Sequence, residues 1–322
     1  MVHGQTRRPG EMQSTHAKKK IALLASTQDA ASMNVYAKLI SEKQHWKKSS
    51  LVFENSPVYL ASFSDVDATL FLTQKKSVYC EHIDEEIAAT LGIDIQEINA
   101  LIFITKHDSK SGRPSFSVHT QGNWNKAELG GNPQELATCP VVLKHLLFRS
   151  LERANNVAGF EVVNECTHHG PSITVPSVFI EIGSTQTEWQ RSDAGVILAS
   201  AIESALSTYV GEIDCDDNRP TIIGIGGTHT CSNFTRLVSE EKIYLSHVCP
   251  TYAIDTVTAE VIKQSIEKTT LRETCMLTID WKSMSAVQRQ KIIGTLQELR
   301  LHYTILGDLK KELDAPQNTK AL

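Results

Sequence analysis

Ala100-Leu101-Ile102-Phe103-Ile104 is a run without a polar side chain, set between Asn99 and Thr105. A short apolar run bounded by polar residues suits a strand covered on both faces, because neither face meets water. Working outward, Ile21-Ala22-Leu23-Leu24-Ala25 has the same character, and strands are also predicted over residues 115–119, 160–165, 177–182, 220–225, 243–248 and 276–279. Between them, apolar residues recur at helical spacing over residues 29–40, 83–91, 139–155, 192–209 and 287–301. Strands alternating with helices predict an α/β fold: a single mixed, mostly parallel sheet with helices on both faces. In such sheets ligands sit beyond the carboxyl ends of the strands.

The size and composition agree with this reading. The chain has 322 residues, 41% of them hydrophobic and 21% charged, enough for a substantial core. No apolar run approaches the roughly 20 residues of a membrane helix. Residues 1–18 are polar, with Arg7, Arg8 and Pro9 and no apolar segment, and read as a disordered extension rather than a secretory signal. Residues 19–313 are expected to form one domain, followed by a flexible tail over 314–322. The 7 cysteines are scattered and never spaced as C-x-x-C, which fits a reducing cytoplasmic setting. A net charge of −5 excludes a polycation, although Lys106, Lys110 and Arg113 give one loop a local basic character suited to phosphate.

Histidines gather where the predicted strands end: His107, the His168-His169 pair, His229 and His247. Glu165-Cys166-Thr167-His168-His169-Gly170-Pro171 is the densest of these segments, with a carboxylate three residues before paired imidazoles. Imidazole moves protons near neutral pH and, when neutral, ligates metal. Gly224-Ile225-Gly226-Gly227-Thr228-His229 is a glycine-rich turn straight after a strand. Its backbone N–H groups suit an anion or an ester carbonyl, but it lacks the spacing of a P-loop or a dinucleotide fingerprint. Glu181-Ile182-Gly183-Ser184 ends another strand, placing Glu181 as a base, a ligand or the partner of an imidazole. With His119 added, the chain offers ample ligands for zinc. There is no G-x-S-x-G elbow and no H-E-x-x-H helix. A hydrolase, a zinc peptidase, a nucleoside phosphorylase using Arg236 and a non-catalytic RNA-binding protein all remain open on these residues alone.

Lys106-His107-Asp108-Ser109 with Arg113-Pro114, Val118-His119-Thr120-Gln121-Gly122-Asn123, Gly130-Gly131-Asn132-Pro133, the Glu165–Pro171 segment, Phe179–Ser184, Trp189, Gly224–His229, Ser246-His247 and Asp280-Trp281-Lys282 form an ordered series. That series resembles the D-aminoacyl-tRNA deacylases of archaeal and plant type. Cys166 stands where that family usually has alanine. The resemblance implies hydrolysis of the ester joining a D-amino acid to tRNA, zinc dependence, and a fold like nucleoside phosphorylases and peptidyl-tRNA hydrolase. It makes Glu165, His168, His169 and His229 the expected catalytic residues. Lys106, His107, Arg113, His119, Thr167, Gly170, Gly226, Gly227 and His247 are the expected contacts to the tRNA acceptor end and aminoacyl group. His168, His169, Glu181 and His229 are the expected zinc ligands, and Gly226-Gly227 an expected oxyanion site. A cytoplasmic monomer or small homo-oligomer is expected.

Overall fold

A computed structural model describes residues 17–41, 45–212 and 219–315. The expected extension over 1–18 lies outside the described residues apart from its last two, and of the expected tail only residues 314 and 315 lie within them.

Strands β1 (Lys19–Ser26), β2 (Lys47–Phe53), β3 (Ser56–Ser62), β4 (Val66–Thr73), β5 (Ile98–Asp108), β6 (Ser115–His119), β7 (Glu161–Asn164) and β8 (Ser177–Ser184) form an eight-stranded sheet in the order β2-β3-β4-β1-β5-β8-β6-β7. Its centre, β4-β1-β5-β8, is parallel, and β6 runs antiparallel to β8. Strands β9 (Thr221–Ile225), β10 (Tyr244–Cys249), β11 (Cys275–Ile279) and β12 (Tyr303–Ile305) form a second, all-parallel sheet in the order β10-β9-β11-β12. The mixed α/β architecture is therefore as expected, with one correction: the strands are divided between two sheets. The physical reason lies after β7, where the chain leaves strand geometry, so a loop joins the sheets. Cys166 N donates to His229 O at 2.8 Å and Thr167 N to Val248 O at 3.0 Å.

The helices are α1 (Ala30–Leu39), α2 (Ile83–Leu91), α3 (Val141–Ala154), α4 (Gln186–Trp189), α5 (Ser192–Thr208), α6 (Ser232–Ser239), α7 (Ala259–Glu267), α8 (Ala286–Glu298) and α9 (Leu306–Asp314). Helices α1, α3 and α5 cover one face of the large sheet, burying Val35, Leu39, Leu147, Leu198 and Ile202 against Ile102, Ile104, Ile180 and Ile182. On the other face, α2 packs Ile83 and Ile87 against Leu24, Leu101 and Phe103. Helices α7 and α8 pack on the small sheet. Asp29 caps α1 by accepting from Ser32 N at 2.9 Å, and its other oxygen accepts from Lys106 N at 2.9 Å, fixing the helix start to the end of β5. Among the described residues no helix is long and apolar enough to cross a membrane.

One buried cation links the layers. Lys144 on α3 is 2% exposed, and its Nζ donates to Ser246 O on β10 at 2.8 Å. Burial pushes its pKa below the ordinary value, only partly opposed by the sulfur atoms of Cys139, Cys231 and Cys166. A base with a lowered folded pKa binds its proton better when unfolded, so acid favours unfolding and stability rises as pH climbs toward the ordinary lysine value of about 10.4. In urea denaturation at stepped pH just below that value, wild type should gain stability relative to Lys144→Met. Parallel pH profiles would count against this assignment.

Candidate active site

Alternation along strands builds the floor of the site. Thr105 on β5 is in register with Glu181 on β8, which pairs with Ser117 on β6; His107 aligns with Gly183 and Ser115, and Phe179 with His119. Residues two apart share a face, so Thr105, His107, Ser117, His119 and Glu181 project away from the isoleucines that pack under α1 and α5. Gly183 is required here, because a Cβ at that position would lie 2.8 Å from His107 Cδ2. Thr105 Oγ1 donates to Glu181 Oε1 at 2.6 Å and Ser117 Oγ to Oε2 at 3.3 Å.

Glu165, which follows β7, enters above this floor with no exposed side-chain surface. His107 Nδ1 is 2.9 Å from its Oε1, and His229 Nε2 donates to Oε2 at 2.9 Å. The first contact is Coulombic, since Oε1 receives no directed hydrogen bond. His107 also lies 3.7 Å from Glu181. Burial disfavours charge on His107, but the two carboxylates outweigh it and push its pKa up to about 10. His229 is also raised: burial is outweighed by the Cys166 sulfur at 3.6 Å and by Glu165. Glu165 and Glu181 are correspondingly held below the usual carboxylate range, their imidazole partners overcoming burial. This cluster is ionised.

His168 and His169 favour the neutral ring. His168 Nδ1 donates to Cys166 O at 2.8 Å and His169 Nδ1 to Gly170 O at 2.6 Å, so each keeps an Nε2 lone pair. Burial, followed by their histidine neighbours, pushes His168 well below its ordinary value and His169 down to about 4. His119 is fully buried, and neither ring nitrogen has a hydrogen-bond partner. The ring centres of His119, His168 and His169 stand 4.3–4.9 Å apart. Their donor atoms lie within 4.8 Å of one another, the spacing a single ion needs. Glu181 and His229, both expected in the zinc set, fall into other groupings, Glu181 with His119 and Glu165, and His229 with His107 and Glu165 or with Cys166 and His168.

A cavity of about 430 Å³ opens over these groups, lined by Asp29, Tyr79, Thr105, Lys106, His107, Asp108, Leu129, His168, His169, Glu181 and His229 among others. Thr167 lines a second cavity beside it, together with His168 and His169. Lys106 stands at the rim, its Nζ 4.0 Å from the Trp189 ring centre and 3.5 Å from Asp108. Several expected contacts lie elsewhere. His247 is fully buried, hydrogen-bonded to Thr167 Oγ1 at 3.2 Å and donating to Lys268 O at 3.1 Å, so it braces the loop. Arg113 is exposed and lines neither cavity. The Gly226-Gly227 oxyanion site is corrected: Gly226 N already donates to Cys249 O, and Gly227 N to Thr251 and Ser283 hydroxyls. Those glycines, with φ of 97° and 101°, turn the chain after β9 toward His229. Arg236, the phosphorylase candidate, is exposed and bound to Glu240. Asp29, Tyr79, Thr105 and Ser117 were not singled out from the sequence; the alternation of Ser115, Ser117 and His119 was the signal for Ser117.

Residues 95–304 match the family model of D-aminoacyl-tRNA deacylases. The chain belongs to that family. The D-aminoacyl-tRNA deacylase of Thermococcus onnurineus is 33% identical over 282 residues, covering 87% of this chain and 98% of that protein. The Pyrococcus furiosus D-aminoacyl-tRNA deacylase is 34% identical over 277 residues, covering 85% and 96%. A crystal structure described only as a conserved protein of unknown function superposes with a TM-score of 0.75 at 27% identity, covering 92% of this chain and 98% of that one.

Backbone packing fixes the His168-His169 loop. A Cβ on Gly170 would lie 2.1 Å from Gly131 N and 2.3 Å from Gly130 C. Gly170→Ala should therefore displace His169 and lower both thermal stability and turnover. Gly294→Ala on α8, where a Cβ meets nothing within 4 Å, should stabilise by about 0.5–1 kcal/mol. Calorimetry with activity on both variants checks this, and an active, unshifted Gly170→Ala protein would contradict it.

Proposed function

We propose that this chain hydrolyses the ester linking a D-amino acid to the 3′-terminal ribose of tRNA, releasing free D-amino acid and tRNA in the cytoplasm. The observation that carries the reading is the pairing of a neutral His168, its Nε2 lone pair free, with the buried carboxylate of Glu165 3.6 Å away. His168 Nε2 takes a proton from water as the water oxygen attacks the ester carbonyl carbon. Glu165 steadies the imidazolium so formed, which returns the proton to the departing ribose oxygen as the ester C–O bond breaks. His107, already protonated and facing the cavity, supplies positive charge for the oxyanion, the role that Gly226 and Gly227 cannot fill. Asp29, Asp108 and Glu181 place carboxyl groups among Lys76, Lys106, His107 and His229 in the cavity lining, and are the candidate partners for the substrate's α-ammonium. A rigid loop held by glycine contacts favours stereoselection by shape.

The second reading adds zinc, and a specific observation favours it. His119 is buried with both ring nitrogens unpaired, beside the free Nε2 atoms of His168 and His169. Three imidazoles, two of them fixed by backbone carbonyls, suit catalytic zinc. Bound there, the ion would polarise the ester carbonyl and acidify water. Glu165 and Glu181 would then hold the protonated His107 beside it.

Release of D-tyrosine and of L-tyrosine from charged tRNA tests both. Turnover of the D-isomer alone, reduced at least about 100-fold in His168→Ala, is expected. Equal inactivity toward both isomers sinks the deacylase reading. Activity abolished by a chelator and restored by zinc supports the metal, whereas indifference to chelation removes it.

A further inference from the structure

The imidazole wall of the site separates two cavities. His168, His169 and Leu129 line both the 430 Å³ cavity described above and a neighbouring one of about 370 Å³. An ester held at His168 has an acyl side and an alcohol side, and each can enter a different cavity. The linings differ in chemistry: the first mixes Asp29, Asp108 and Glu181 with Lys76, Lys106 and His107, whereas the second presents Pro250 and the Tyr252 ring, with Lys126 and Glu128 also in its lining. Tyr252 is 62% exposed, yet its hydroxyl lies 3.5 Å from Cys166 Sγ, which tethers the ring to the catalytic loop. Asn123 and Asn125, also in this wall, already donate to Gly130 O, Asn132 O and Thr256 Oγ1. Such a surface offers a face for stacking and a cation for phosphate while its amides are engaged elsewhere.

We infer that the second cavity receives the terminal nucleoside of the tRNA, stacked on Tyr252 without base-edge readout by these amides, while the aminoacyl group occupies the first. This rests on the ester-hydrolysis reading. An aromatic platform with a nearby cation binds single-stranded nucleotides through the π-face common to every base. Tyr252→Ala should raise KM for D-tyrosyl-tRNA about 5- to 100-fold, the effect of losing one stacked base, and change kcat less than about threefold. Tyr252→Phe, which keeps the ring, should stay close to wild type. The trinucleotide CpCpA should compete with substrate, and Tyr252→Ala should weaken its binding, measured by calorimetry, by the same factor as KM. A KM within twofold of wild type, a loss carried by kcat, or an equal loss in Tyr252→Phe would overturn the assignment. If wild type fails to release D-tyrosine but binds CpCpA through Tyr252, the hydrolysis reading falls and the nucleoside site stands.

Discussion

Glu165 is a carboxylate without exposed side-chain surface, and such a charge is tolerated only when fully paired. Its partners come from different layers: His107 from the end of β5 in the large sheet, and His229 from the turn after β9 in the small one. Removing one partner from a buried pair costs about 3–5 kcal/mol, so the carboxylate constrains how the two sheets meet. The adjacent backbone reinforces the seam, since Cys166 N and Thr167 N donate to carbonyls of the small sheet. The site lies at that seam because the group that closes it is also the group that polarises the imidazoles.

The floor depends on a different constraint, the two-residue period of a strand. Ile102, Ile104, Ile180 and Ile182 belong to the hydrophobic core, while Thr105, His107 and Glu181 on the same strands face the opposite way. A register slip of one residue between β5 and β8 would turn Glu181 toward the helices and an isoleucine into the cavity. Burial of the isoleucines thus holds the catalytic register, and the polar face is positioned by apolar packing behind it.

That dependence explains what was legible in the sequence. The apolar runs of β1, β5 and β8 stand out because both faces are covered or specialised, and helices α1, α2 and α5 follow their spacing closely. Strand β2 was hidden behind Lys47 and Lys48, which lie exposed on an edge strand where charge discourages further pairing. Helix α6 was missed because only a few apolar residues fall within its eight positions. His107, His168, His169 and His229 could be gathered from strand ends, but His247 could not be told from them. It too ends a strand, and only the third dimension shows its ring turned inward to Thr167 and Lys268. The hydrogen bonds that consume Gly226 N and Gly227 N come from partners 23–56 residues away in sequence, which local spacing does not record.

Five histidines of one residue type do two jobs in this site, and their partners decide which. Burial beside other imidazoles favours the neutral form of His168 and His169, and a backbone carbonyl accepting Nδ1–H from each sets the tautomer with the lone pair at Nε2. His107 and His229 face Glu165, which rewards the charged ring. His119 lies between the two sets, near Glu181 at 3.8 Å but without a directed hydrogen bond. Rings that favour the neutral form and rings that favour the charged one therefore coexist a few ångströms apart. Separating acid from base by environment is the general way one site performs both, and here a buried carboxylate favours charge on two rings while burial among other imidazoles favours the neutral form of two more.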